Sequence, residues 1–192
     1  MSLKKSVLLV LLILILDQIS KIYIKLNFPL TLYGQAALLD WGWFKILFVE
    51  NKGMAWGAKI NDFIPFISDR TGKLLLTSFR VLAVPVIFYW LYDGIKKRES
   101  KLLTLSISLI LAGAIGNLID SIFYGYLFTD SYLNVATFSP GNGYEKLFFG
   151  NVVDMLQFPL FEWYWPEWIP FIGGNYFTFF DPVFNLADTS IS

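Results

Sequence analysis

Four aspartates are the residues with which this chain could do chemistry, two of them in membrane-grade apolar runs and two in short apolar segments further along. Asp17 interrupts the run VLLVLLILIL of residues 7–16 before Ile19, Ile22, Tyr23 and Ile24 resume it. Asp120 ends the apolar stretch from Leu102 to Ile119, Asp154 lies in NVVDML, and Asp188 lies in FNLAD. Burying a charge in a bilayer costs several kcal/mol, so an intramembrane carboxylate points to function. Two carboxylates within hydrogen-bonding reach near a low-dielectric boundary cannot both ionise easily, so one keeps its proton while the other activates water. Such a pair hydrolyses peptides without histidine, cysteine or metal; carboxylate pairs also serve proton relays, and the spacing leaves both open. Taken singly, Asp154 and Asp188 read equally as N-caps at the edge of a helix or loop.

Composition narrows the field. The 192 residues include no His and no Cys, which removes Ser-His-Asp and Cys-His machinery, disulfides and thiolate metal sites. Carboxylates, Lys, Tyr and Ser remain for acid–base work, and neither a metal nor a cofactor is expected. Net charge is zero, so no global field attracts nucleic acid. With 56% hydrophobic residues, 19% aromatics and a mean hydropathy of +0.56, the chain fits a small multi-span membrane protein rather than a soluble domain.

The elements that must position the acids are membrane helices of about 20 apolar residues. Three segments qualify, 6–26, 74–92 and 102–124. The first resembles a secretory signal, but no small-x-small site follows it and DQISKIYIK continues the helical spacing. Lys4 and Lys5 precede this span, and Lys96, Lys97, Arg98 and Lys101 fill the link between the other two. The positive-inside rule puts both in the cytoplasm, so the connections 27–73 and 125–182 face the other side and all four acids gather at one depth. Asp17, Lys21 and Lys25 share one helical face, where an Asp17–Lys21 pair reads as a structural anchor. Arg80 reads as a structural partner or a snorkelling side chain. Ala112 and Gly116 permit a close helix approach, and Asn117 and Asp120 share a face that can point into the bundle.

The outer connections carry structure of their own. WFKILFVENKGMAWGAKI predicts a short β element around a turn at Gly53, and SPGNGYEKLFFGN a turn or hairpin. The aromatic stretch FEWYWPEW (161–168) is expected at the membrane surface, with loop packing as the bland alternative.

Taken in order, DQISK (17–21), NKGMAWG (51–57), GAIGNLID (113–120), VVDM (152–155) and FNLAD (184–188) resemble the lipoprotein signal peptidases (signal peptidase II), membrane aspartic peptidases of bacteria. The resemblance covers nearly the whole chain. It implies a mainly α membrane protein: a transmembrane helical bundle with a small extracytoplasmic β element, forming one integral membrane domain over 1–192. It implies a monomer of the bacterial inner membrane, N-terminus cytoplasmic, with its site near the outer leaflet. Asp154 and Asp188 would be the catalytic dyad, one acting as general base on water and the other protonating the oxygen and later the leaving amine. Asn51 in the NxG motif, with Gly53, would bind the substrate backbone or the tetrahedral intermediate. Asn117 and Asp120 would orient the site, Asn185 and Ala187 position the last acid, and Asp17 with Lys21 hold the first helix against it. The substrate would be a prolipoprotein whose Cys carries diacylglycerol, cut just before that Cys, and membrane lipid would be the other partner.

Three departures stand out. Ser121 occupies the position where the family usually has Arg, and the segments on either side of Asp154 are long. Three spans are visible, and the fourth that the family carries beyond FNLAD is expected to be truncated here, with poor activity of the 192-residue chain as the consequence. The rivals are a small carboxylate-relay transporter, which predicts acids spread through the bilayer depth, and a non-catalytic scaffold. A Ser20–Lys21 peptidase is weaker, since adjacent helical residues point about 100° apart.

Overall fold

The computed structural model describes residues 1–32, 35–54 and 57–192. Among the described residues, three helices are long and apolar enough to cross a membrane: α1 (Leu3–Asn27), α3 (Asp69–Lys96), and α4 (Lys101–Ile119) continued through a π-helical turn (Asp120–Tyr124) and α5 (Gly125–Leu127). Each begins on a serine whose hydroxyl accepts an amide of the first turn: Ser2 from Lys5, Ser68 from Thr71 and Ser100 from Leu103. Helix α1 stops where Pro29 forces its predecessor Phe28 into extended backbone.

The bundle is built for lipid as solvent. On α1 the outward residues are Leu8, Leu11, Leu12, Ile15, Leu16 and Ile19, whereas the buried ones include Ser6, Asp17, Lys21 and Lys25. Polar groups turned inward and leucines turned outward invert the pattern of a soluble helix. An apolar core of Val10, Leu91, Ile107, Leu111 and Ala112 joins the three helices. The α-amino group of Met1 donates to Thr104 Oγ1 at 3.1 Å, so the N-terminus and the basic α3–α4 link share one end of the bundle.

The opposite end carries a four-stranded antiparallel sheet in the order β1 (Leu39–Asp40), β2 (Lys45–Asn51), β3 (Val152–Gln157) and β6 (Val183–Phe184). The short α2 (Ile60–Phe63) follows β2, and α6 (Leu186–Ile191) follows β6 directly. Pairing Val49 with Asp154 and Leu156 with Phe184 makes β3 a central strand. A second core beneath the sheet gathers Ile24, Phe48, Tyr124, Phe128, Val153 and Met155. Of the β element expected around a turn at Gly53, the arm before the turn is present as β2 and belongs to a larger sheet. The segment SPGNGYEKLFFGN forms successive turns, and FEWYWPEW supplies β4 (Phe161–Tyr164), paired with β5 (Tyr176–Phe179) in an exposed hairpin.

Helix α6 packs on α4 and α1 through small residues. A Cβ on Gly116 would stand 2.9 Å from the Ala187 Cβ and 2.8 Å from Asp17 Oδ2, and one on Gly113 would meet the Ala187 carbonyl. The close approach expected at Ala112 and Gly116 occurs at Gly113 and Gly116, while Ala112 serves the apolar core.

Candidate active site

Strand β3 carries Asp154 in its middle, which corrects the reading of this acid as a helix or loop edge. Asn185 Nδ2 donates to Asp154 Oδ1 at 2.7 Å and Asn51 Nδ2 donates to Oδ2 at 3.2 Å. Asn51 comes from the end of β2, and its Oδ1 accepts the Gly53 amide at 2.9 Å. A Cβ at Gly53 would collide with the Ala58 backbone, so this turn closes only around glycine. Ala55 and Trp56 of NKGMAWG lie outside the described residues.

Asp188 sits on the first turn of α6. There it does cap the helix: its Oδ2 accepts the Asn185 amide at 3.3 Å, and Asn185 Oδ1 accepts the Asp188 amide at 2.8 Å. Its Oδ1 accepts Asn117 Nδ2 at 2.7 Å. Asn185, fully buried, thus touches both acids, and its Nδ2 also reaches Asn117 Oδ1 at 3.1 Å. Asp154 and Asp188 line one cavity of about 540 Å³ together with Asn51, Met54, Arg80 and Asn117. Burial pushes the Asp154 carboxyl up to about 7, the Asp188 charge adds to the push, and the bonds from Asn51 and Asn185 oppose it. A pair so placed can share one proton near neutrality.

Asp17 and Asp120 are held elsewhere. Lys21 Nζ bridges them at 2.9 and 2.8 Å, all three side chains being inaccessible to solvent. It also donates to Asn117 Oδ1 at 3.1 Å, so the cation that joins the two helices touches the amide that holds Asp188. Asp120 further accepts Gln18 Nε2 at 3.0 Å and the Val153 amide at 3.2 Å, tying α4 to β3 one residue before Asp154. Asp17 Oδ1 accepts the Ala187 amide at 2.9 Å, tying α1 to α6 one residue before Asp188. Ala187 is fully buried, as its fit against Gly116 requires. With two carboxylates on Lys21 and the Ser20 hydroxyl turned to the Asp17 carbonyl at 2.8 Å, a Ser20–Lys21 couple has no geometry to work with.

The spacing of residues did not single out Gln18, which links Asp17, Asp120 and the Tyr124 hydroxyl, nor Glu50. Glu50 pairs with the buried Lys25 and accepts Asn151 Nδ2 at 2.9 Å. An amide beside Asp17 and an acid beside Asn51, each next to a motif residue, were the available signals.

The sequence profile of the signal peptidase (SPase) II family matches residues 9–192. The chain belongs to the signal peptidase II family. It is a multi-pass membrane peptidase of the aspartic type. The lipoprotein signal peptidase of Porphyromonas gingivalis is 46% identical over 186 residues, covering 96% of this chain and 76% of that protein. The lipoprotein signal peptidase of Amoebophilus asiaticus is 37% identical over 182 residues, covering 94% of this chain and 70% of that protein. A solved bacterial membrane enzyme structure at 2.3 Å resolution, 23% identical, superposes with a TM-score of 0.57 over 98% of this chain and 81% of that one. Another at 1.9 Å, 22% identical, gives 0.56 over 98% and 86%. At that identity the two structures speak for the fold, and the signal peptidase II profile and sequence relatives for the family.

Proposed function

We propose that this peptidase removes the signal peptide from diacylglyceryl-modified prolipoproteins just before the lipidated Cys, with Asp154 and Asp188 as its catalytic dyad. The observation that carries the assignment is the shared cavity, which both acids line with Asn51 and Asn117 while the buried Asn185 touches the two acids from behind. Asp188 takes a proton from water as the oxygen attacks the scissile carbonyl, and the Asp154 proton passes to the carbonyl oxygen. On collapse the proton held by Asp188 goes to the leaving amine, and Asp154 recovers its own from the gem-diol, so the pair returns to its starting state. Asn51 and Asn185 fix the Asp154 carboxyl, and Asn117 fixes that of Asp188. Asp17, Lys21, Asp120 and Ala187 support the site by joining α1, α4, β3 and α6 behind it, and Gly53 shapes the turn that carries Asn51.

In this reading the protein is a monomer of the bacterial inner membrane, its N-terminus and the basic α3–α4 link are cytoplasmic, and the dyad lies near the outer leaflet. The clustering of all four acids toward the sheet end of the bundle supports that placement and disfavours a relay across the bilayer. A substrate anchored by two acyl chains presents its scissile bond at that depth. The test is cleavage of a diacylglyceryl-modified prolipoprotein by the purified protein, alone and with Asp154→Asn or Asp188→Asn. Each substitution should abolish cleavage while the protein stays folded; cleavage surviving either one sinks the dyad assignment.

A further inference from the structure

Ser121 stands where the resemblance predicts an arginine, and a guanidinium reaches the same place from another helix. Arg80 on α3 donates from Nη1 to Ser121 Oγ at 2.6 Å and from Nη2 to the Gly53 carbonyl at 3.3 Å. The Ser121 hydroxyl gives its own proton to the Asn117 carbonyl at 2.7 Å, so its lone pairs are left for the guanidinium. Ser121 is fully buried, and a side chain longer than serine there would displace Arg80.

Arg80 lines the dyad cavity with Asp154 and Asp188. Asp188, Asp120 and Asp154 are the acids whose charge bears on it, yet among the described residues no carboxylate lies within ion-pairing distance of it. A half-buried cation anchored by two neutral oxygens keeps its field for its surroundings, whereas one clamped in an ion pair does not. The groups facing this region are Asp154 on β3, Glu50 on β2, Asp188 on α6 and Asp120 at the π-helical turn, with Lys21 of α1, Lys52 beyond β2 and Lys73 of α3 as cations.

We propose that Arg80 is a positioning residue of the peptidase site, supplying from α3 the guanidinium that the resemblance places at residue 121. Its fork pins the Gly53 turn, and with it Asn51, against the end of α4, and its charge favours the singly ionised dyad. The inference rests on the dyad assignment above.

The test is the pH profile of kcat for prolipoprotein cleavage by the full chain in detergent, with Arg80→Gln, Arg80→Lys, Arg80→Ser and the exchanged pair Arg80→Ser/Ser121→Arg. Arg80→Gln should lose on the order of 10² in kcat. Its acid limb, where the pair sheds its first proton, should move up by about one pH unit, because the cation that favours that ionisation is gone. Arg80→Lys should hold the limb in place while recovering part of the rate, since it keeps the charge and loses the fork. The exchanged pair should recover at least about tenfold of the rate lost by Arg80→Ser, and this comparison decides the matter if Arg80→Gln does not fold. Wild-type kcat in Arg80→Gln overturns the inference. So do an unmoved limb with the Gln and Lys variants equally slow, and an exchanged pair no better than Arg80→Ser. Asp154→Asn and Asp188→Asn run alongside: if either of these still cleaves, the dyad has failed, whereas if both are dead and Arg80→Gln is not, only Arg80 has lost its role.

Discussion

Asp154→Asn should kill the enzyme and, at alkaline pH, stabilise it. The folded protein raises this carboxyl from 3.8 to about 7, chiefly because burial penalises the charged form. For an acid shifted upward, the folded state binds the proton more tightly than the unfolded one. Stability is therefore undiminished below the unfolded value, falls as pH rises through the interval, and carries the whole cost above about 7. At 1.36 kcal/mol for each tenfold change in proton affinity, the rise from 3.8 to about 7 costs about 4 kcal/mol. Asparagine removes that cost but introduces another. Both Asp154 oxygens accept from amide donors, Asn185 at 2.7 Å and Asn51 at 3.2 Å, and the new NH2 group must face one of them. Asn51 cannot flip freely, because its Oδ1 accepts the Gly53 amide and its Nδ2 also reaches the Met54 carbonyl. Opposing two donors in a buried site costs about 1–3 kcal/mol.

The two terms leave the variant more stable than the parent by about 1–3 kcal/mol near pH 8, and less stable by about the same amount near pH 4. Thermal unfolding in detergent at the two pH values reads this directly, at about 2–4 °C per kcal/mol for a chain of this size. The crossing of the two stability curves is the signature. A variant that is less stable by the same margin at both pH values would refute the argument that Asp154 is a desolvated acid holding its proton.

Other expectations follow from the same contacts. The cleavage rate should fall as pH rises through about 7, because the proposed mechanism needs the Asp154 proton and that proton is then lost; a rate flat from pH 6 to 9 contradicts this. Lys21→Met strands Asp17 and Asp120, both inaccessible to solvent, and should cost about 3–5 kcal/mol in detergent unfolding, with part restored by adding Asp17→Asn and Asp120→Asn. Ala187→Leu should lower stability by about 1–3 kcal/mol and abolish cleavage, since Gly116 leaves no room for the added carbons and α6 carries Asp188; an active, equally stable variant argues against the close packing.

Much of the scaffold was legible in the sequence because lipid imposes a simple demand. A helix in hydrocarbon must be long and apolar, so the spans read at 6–26, 74–92 and 102–124 fall within Leu3–Asn27, Asp69–Lys96 and Lys101–Leu127, whereas the serine caps Ser2, Ser68 and Ser100 that start them went unread. The polar interruptions were legible for the same reason, as a charge at Asp17 or Asp120 has to be compensated inside. What pairing would compensate them was only half visible. Helical spacing predicts Lys21 beside Asp17, but its second bond, to Asp120, depends on how α1 and α4 meet. The sheet was under-read because β1 and β6 are two residues each and owe their strand geometry to β2 and β3, which no local pattern reveals. Asp154 looked like a loop-edge acid because VVDML carries too few residues to show alternation.

The supports behind the two acids have a common logic that chain order conceals. Asp120 bonds the amide before Asp154, and Asp17 bonds the amide before Asp188, so each structural acid holds the backbone next to one dyad acid. Lys21 lies between the two structural acids and joins both. A shift of α1 against α4 would therefore move α6 against β3 and take the dyad carboxylates out of register, and the Lys21 bridge opposes it by joining the two helices. Neutralising Lys21 alone breaks this linkage at its centre and leaves two buried charges repelling each other. Neutralising all three groups removes the repulsion but leaves only neutral hydrogen bonds to hold the register. The triple variant should thus recover stability more fully than cleavage, and equal recovery of both would show that the ion bridge positions nothing.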